Sequence, residues 1–212
     1  MSIRQPFSSI SHFAGAVAAL AGTVVLAVVA RHDTGTLAAA LVYGVSATLL
    51  FTASGVYHAA RSGENGRSAF RKLDHSAIYA MIAGTYTPVA FAYLSRTWAW
   101  SIVAVQWGLV AAGIAITLLW ITRPRGVTVA IYVAMGWVAI VAVKELLNAM
   151  PARALVLLLA GGLAYMAGAI IYAIKKPDPL PGRFGFHEVF HVFILLGAGF
   201  HYFLVFDAVG GS

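Results

Sequence analysis

The chain has 212 residues, 61% of them hydrophobic and only 10% charged, with a formal net charge of +7. A soluble domain carries roughly 25% charged residues, so the composition, with its mean hydropathy of +0.86, excludes an ordinary globular protein. There is no cysteine, which excludes disulfides and thiolate metal sites and leaves the redox compartment unreadable.

Seven windows contain no Asp, Glu, Lys or Arg: 5–30, 34–60, 76–95, 97–122, 126–143, 154–174 and 189–206. About 20 apolar residues rising 1.5 Å each cross a hydrocarbon core of about 30 Å, so each window is read as one transmembrane helix. The first window is longer than the roughly 7–15 apolar residues of a signal peptide and is kept as a span. The predicted helices are 9–30, 37–60, 74–94, 98–120, 127–147, 153–174 and 187–207. The fold class expected is an all-α integral membrane protein, a seven-transmembrane helix bundle forming a single domain over 1–212. Breakers separate the helices: RHDTGT, RSGENGRS, TRPRG and the proline-rich KKPDPLPGRFG, read as an extended segment before the last helix. Within the third, Pro88 removes the hydrogen bond to Gly84 and is expected to kink the helix. Small residues such as Gly113, Gly161, Gly162 and Gly168 permit close helix packing.

Counting Lys and Arg by loop orients the bundle. Ten fall before helix one and in loops two, four and six (Arg4, Arg61, Arg67, Arg71, Lys72, Arg123, Arg125, Lys175, Lys176, Arg183), against four in loops one, three and five (Arg31, Arg96, Lys144, Arg153). The N-terminus is expected in the cytoplasm and the C-terminus outside. The positive charge is accounted for by this bias and by attraction to anionic lipid. Scattered among loops without an aromatic platform, it argues against nucleic acid as a partner.

An ionisable group inside a span is expensive and marks function by default. Alternating helices place His58 near the inner end of helix two, Asp74 at the inner start of helix three, and His187 and His191 at the inner start of helix seven. Ser54 lies one turn deeper than His58 on the same face. Three neutral imidazoles without cysteine suit Zn2+ with an open fourth position, the mark of a catalytic site. Zinc lowers the pKa of bound water to about 7. Asp74 is the candidate general base for that water, and Ser54 a donor to the water or to a substrate carbonyl. Blander readings stand beside these: Asp74 as an N-terminal helix cap, Ser54 as a packing residue. His12, His32 and His75 are read as structural or interfacial. His201, about 15 Å beyond His191 along the helix, is read as a packing or hydrogen-bonding residue.

At these residues the chain resembles a known family. SGVYH (Ser54 to His58), LDHSAIYAMIAGTYTP (Leu73 to Pro88) and HEVFHVF (His187 to Phe193) are similar, in order and spacing, to three motifs of haemolysin-III proteins. These are the bacterial branch of the progestin and adipoQ receptor superfamily, related to alkaline ceramidases. The resemblance implies zinc held by His58, His187 and His191, Asp74 in contact with the metal water, and Ser54 beside it. It implies a multi-pass protein of the bacterial inner membrane. Animal relatives hydrolyse ceramide, an amide lipid, whereas the bacterial name reflects haemolytic activity. The chain lacks the long N-terminal cytoplasmic domain of the animal receptors, which weighs against adiponectin-type signalling.

His187-Glu188-Val189-Phe190-His191 also matches the H-E-x-x-H signature of zinc proteases, in which Glu188 would be the general base. Glu188 is better read as a first-turn carboxylate favoured by the helix dipole. The leading expectation is thus a zinc-dependent hydrolase of a lipid amide or ester at the cytoplasmic leaflet, with a membrane lipid as substrate or ligand. The alternatives are a non-enzymatic membrane-perturbing protein and a lipid-sensing receptor with a structural zinc. A retinal pump is disfavoured because the last helix has no lysine.

Overall fold

The computed structural model describes residues 5–60, 64–120, 124–181 and 184–211, and only the backbone of Glu64, Asn65, Arg67 and Arg125. Arg4, Arg61, Arg123 and Arg183, used above to orient the bundle, lie outside the described residues. The helices are α1 (Pro6–Val29), α2 (Thr34–Ala59), α3 (Glu64–Tyr93), α4 (Arg96–Leu119), α5 (Arg125–Gly136), α6 (Val143–Ala149), α7 (Ala152–Ile174) and α8 (Phe186–Gly210). A 3₁₀ segment, Trp137–Ala142, joins α5 to α6, and the three pieces make one fifth span. Among the described residues six spans are long and apolar enough to cross a membrane, and α3 completes a bundle of seven.

The burial pattern is inverted relative to a soluble protein. Large apolar side chains point outward, Leu119 being 88% and Val17 71% exposed. Ser8, Ser9, His12, Ser54, His58, Asp74, Gln106 and His191 are buried. A lipid-facing surface requires this, because hydrocarbon neither solvates polar groups nor penalises apolar ones.

α3 begins ten residues before the expected start at Asp74. The charge-free window marks where hydrocarbon begins, not where the helix does; residues 64–73 stay helical while carrying charge. Asp74 therefore lies well inside a helix, and the helix-cap reading is overturned. α3 is continuous through Pro88. It is also the least apolar helix, yet Ala77, Tyr79, Met81, Ala83, Val89 and Ala90 are all buried. A helix enclosed by other helices need not be lipophilic all round.

The expected continuous helix 127–147 is likewise corrected: it breaks at Trp137–Ala142. In lipid, irregular backbone persists only where protein groups engage it. Here the Gln106 amide donates to the Met135 carbonyl (2.8 Å). The Tyr86 hydroxyl donates to the Gly136 carbonyl (2.6 Å) and accepts from the Ala139 N–H (2.9 Å). Gln106 has no exposure at all.

Before α8 the proline-rich segment turns back on itself. Leu180 and Phe184 exchange both backbone hydrogen bonds (2.9 and 2.8 Å). Asp178 Oδ1 accepts from the Phe186 N–H (3.2 Å), holding the first residue of α8.

Candidate metal centre

α1 lies in the groove between α2 and α8, the two helices that carry the histidines. Small residues allow the approach. A Cβ on Gly55 would sit 2.8 Å from Phe13, and one on Gly15 would sit 2.9 Å from Leu195 and 3.0 Å from Phe51. Ser9 donates to the Gly55 carbonyl (3.1 Å), which ties α1 to α2 at the level of the site.

α8 is capped by Gly185, whose N–H donates to Glu188 Oε2 (3.0 Å). The other oxygen, Oε1, accepts from the Ser8 hydroxyl (3.4 Å). Glu188 thus satisfies the helix N-terminus and braces α1. With the start so placed, His187 and His191, one turn apart, face α2 and meet His58.

One ligand nitrogen from each of His58, His187 and His191 lies within 4.8 Å of the other two. The rings gather tightly, with centroids 4.7 Å apart for His187–His191, 4.7 Å for His58–His191 and 5.0 Å for His58–His187. Nε2 of His187 and Nε2 of His191 are 3.1 Å apart. Two nitrogens sharing a tetrahedral zinc at roughly 2.0–2.1 Å would stand about 3.3 Å apart.

Two of the remaining ring nitrogens are engaged by α1 and its N-cap. Nδ1 of His58 donates to Gln5 Oε1, which can only accept, so the lone pair of His58 is on Nε2. Nδ1 of His191 meets Nε2 of His12 at 2.7 Å. The three histidines can therefore hold a metal ion, and a neutral nitrogen donor set without thiolate fits zinc chemistry.

Ser54, His58, Asp74, His187 and His191 line a single cavity of about 1220 Å3. Asp74 and Ser54 are buried in its wall, 8% and 3% exposed. His75 Nδ1 approaches Asp74 Oδ2 at 3.4 Å, and the His75 carbonyl accepts from the Tyr132 hydroxyl (3.1 Å). His201 is remote from the centre, its Nε2 donating to the Leu158 carbonyl (3.3 Å). From the metal centre the cavity runs past Ile78, Met81 and Ile194 between the fifth span and α7. Ile140, Leu159 and Leu163 border the cavity and are exposed (53%, 64% and 69%).

Sequence reasoning passed over Gln5 and set His12 aside as structural or interfacial. A signal existed: Gln5, Ser8, Ser9, His12, Gly15 and Ala16 form one helical stripe of polar and small residues on an otherwise apolar helix.

A helical, multi-pass membrane protein with a three-histidine centre at one end of its bundle is the class these features define. The chain belongs to the family described as Haemolysin-III related, which matches residues 2–202, within the progestin and adipoQ receptor superfamily. It is 35% identical over 200 residues to Hemolysin-3 of Bacillus cereus, covering 93% of this chain and 88% of that one. It is 33% identical over 164 residues to a Hemolysin-3 homolog of Bacillus subtilis (strain 168), covering 77% and 74%. It is also 33% identical over 151 residues to the Heptahelical transmembrane protein ADIPOR2 of Oryza sativa subsp. japonica, covering 64% and 66%.

Proposed function

We propose that this protein is a zinc-dependent hydrolase of a lipid amide or ester, working at the cytoplasmic leaflet of a bacterial inner membrane. One observation carries the reading: the three-histidine group opens into a long, mainly apolar cavity whose wall also holds Asp74 and Ser54. At about 1220 Å3 the cavity exceeds the roughly 300–1,000 Å3 of small-molecule sites, enough for an acyl chain. The exposed apolar residues that border it, Ile140, Leu159 and Leu163, support entry from the bilayer.

Zinc held by His58, His187 and His191 would supply Lewis acidity and a water acidic enough to ionise near neutral pH. Asp74 takes the proton from the attacking water and returns it to the leaving amine or alcohol. Ser54 donates a hydrogen bond to the substrate carbonyl. The apolar wall holds the chain so that the scissile bond lies beside these groups and bulk water is excluded.

Purified protein incubated with cell lipid extract, wild type against Asp74→Asn, tests this by lipidomics. Accumulation of a free fatty acid with its amine or alcohol in the wild type alone is expected. Identical profiles, with zinc bound equally by both proteins, refute hydrolysis. The name of the Bacillus relatives, Hemolysin-3, favours a second reading as a membrane-perturbing protein. That reading predicts vesicle leakage that survives Asp74→Asn.

A further inference from the structure

Metal-ligating histidines are held by what binds their other ring nitrogen, and these partners set both tautomer and ring orientation. In this bundle two such partners, those of His58 and His191, come from a helix that contributes no ligand. Gln5, at the N-cap of α1, accepts from His58 Nδ1 and also donates its backbone N–H to the His58 carbonyl (3.3 Å). His12, two turns further along the same face, places Nε2 at 2.7 Å from His191 Nδ1. We propose that α1 orients the metal ligands, with Gln5 and His12 as positioning residues that hold the rings of His58 and His191 through their outer nitrogens.

The proposal rests on the zinc reading above and assigns residues that reading does not use. Three features support it. First, when Nε2 of His191 is given to the metal beside Nε2 of His187 (3.1 Å), its Nδ1 carries the proton and donates to His12 (2.7 Å). His12 Nε2 is then an acceptor and its own proton sits on Nδ1, a buried atom with no partner among the described residues. Leaving a buried polar nitrogen unpaired is unfavourable, so His12 is placed for what its other nitrogen does.

Second, the partners are electrically neutral. The groups that accept from metal-bound histidines are often carboxylates, but a further anion is expensive at membrane depth. An amide and an imidazole accept the same hydrogen bonds, leave the metal's positive charge undiminished and keep Asp74 as the nearby carboxylate.

Third, α1 is braced where the contacts occur. Ser9 bonds α2 and Ser8 bonds α8, and the glycine approaches at Gly15 and Gly55 fix its depth in the groove. The His12 ring also stands edge-on to Phe51, with centroids 5.2 Å apart, a contact that packing alone would preserve with any aromatic.

The test uses the full-length protein purified in detergent, with Zn2+ titrated against a chelator of known affinity. A parallel sample loaded with Co2+ reports ligand geometry through its visible absorption spectrum. His12→Phe keeps the ring against Phe51 but removes the acceptor; zinc affinity is expected to fall 10–100-fold, with an altered Co2+ spectrum. His12→Gln, whose side-chain oxygen reaches the former Nε2 position, restores both. Gln5→Leu weakens binding over the same range and Gln5→Glu rescues it. Since Gln5 lies at the helix start, that pair decides the matter if His12→Phe does not fold. Wild-type affinity and spectrum in both His12→Phe and Gln5→Leu would overturn the assignment while leaving the metal centre standing. A wild-type protein that binds no zinc would instead remove the centre itself, and this inference with it.

Discussion

Tyr86→Phe removes one hydroxyl and with it two hydrogen bonds to the broken fifth span, to the Gly136 carbonyl (2.6 Å) and from the Ala139 N–H (2.9 Å). The ring remains, so no cavity is made. Side-chain hydrogen bonds within helical membrane proteins are each worth about 0.6 kcal/mol on average and up to about 1.7. Two bonds set an expected loss of about 1–3 kcal/mol. Gln106→Leu is the control. It removes the bond to the Met135 carbonyl (2.8 Å) and the side-chain contact with the Tyr86 hydroxyl, but relieves the buried Gln106 Oε1 of having no partner among the described residues. Its net effect is expected below that of Tyr86→Phe, despite the larger chemical change. Unfolding of the purified protein, followed by circular dichroism under denaturant, reads both variants. A Gln106→Leu loss exceeding the Tyr86→Phe loss, or no change in either, would refute the view that these side chains stabilise the 3₁₀ segment by satisfying its backbone.

Stripping the metal should lower thermal stability. At free zinc 100-fold above the dissociation constant, binding contributes about 2.7 kcal/mol, or roughly 5–10 °C in Tm for a chain this size. His58→Ala combined with His191→Ala should show no difference between zinc and chelator; a wild-type Tm unmoved by chelation argues against metal binding. Gly161→Ala would place a Cβ 2.2 Å from the His201 ring, whereas Gly162 has nothing within 4 Å. The first is expected to destabilise by about 1–3 kcal/mol through overpacking, and the second to be neutral or stabilising by up to about 1 kcal/mol, as thermal unfolding of both will show. Glu188→Gln keeps an oxygen for the Gly185 N–H, turns the acceptor of the Ser8 hydroxyl into a donor and loses the carboxylate's dipole interaction, about 0.3–1 kcal/mol. Lipid hydrolysis should persist in this variant, and its abolition would move the general-base role from Asp74 to Glu188.

Membrane residence and the run of spans were legible in the linear sequence because hydrocarbon tolerates neither charge nor unsatisfied backbone. Charge-free windows of sufficient length therefore declare themselves, and six of the seven helices begin within three residues of expectation. His58, His187 and His191 were legible for the same reason, as polar groups at equal depth in spans that should not carry them. Depth along a helix follows from residue count alone.

What residue count does not carry is which helix lies beside which, and how far secondary structure extends beyond the hydrocarbon. The early start of α3 was hidden because residues 64–73 are charged, and charge ends a lipid-facing window without ending a helix. The break at Trp137–Ala142 was hidden because an apolar run looks the same whether α-helical or 3₁₀; the groups that engage its backbone, Tyr86 and Gln106, come from α3 and α4. His12 and Gln5 acquired their places only when α1 settled between α2 and α8. Hydrogen bonds between side chains more than fifty positions apart depend on lateral packing, and that was decided by glycines, serines and ring contacts in three dimensions.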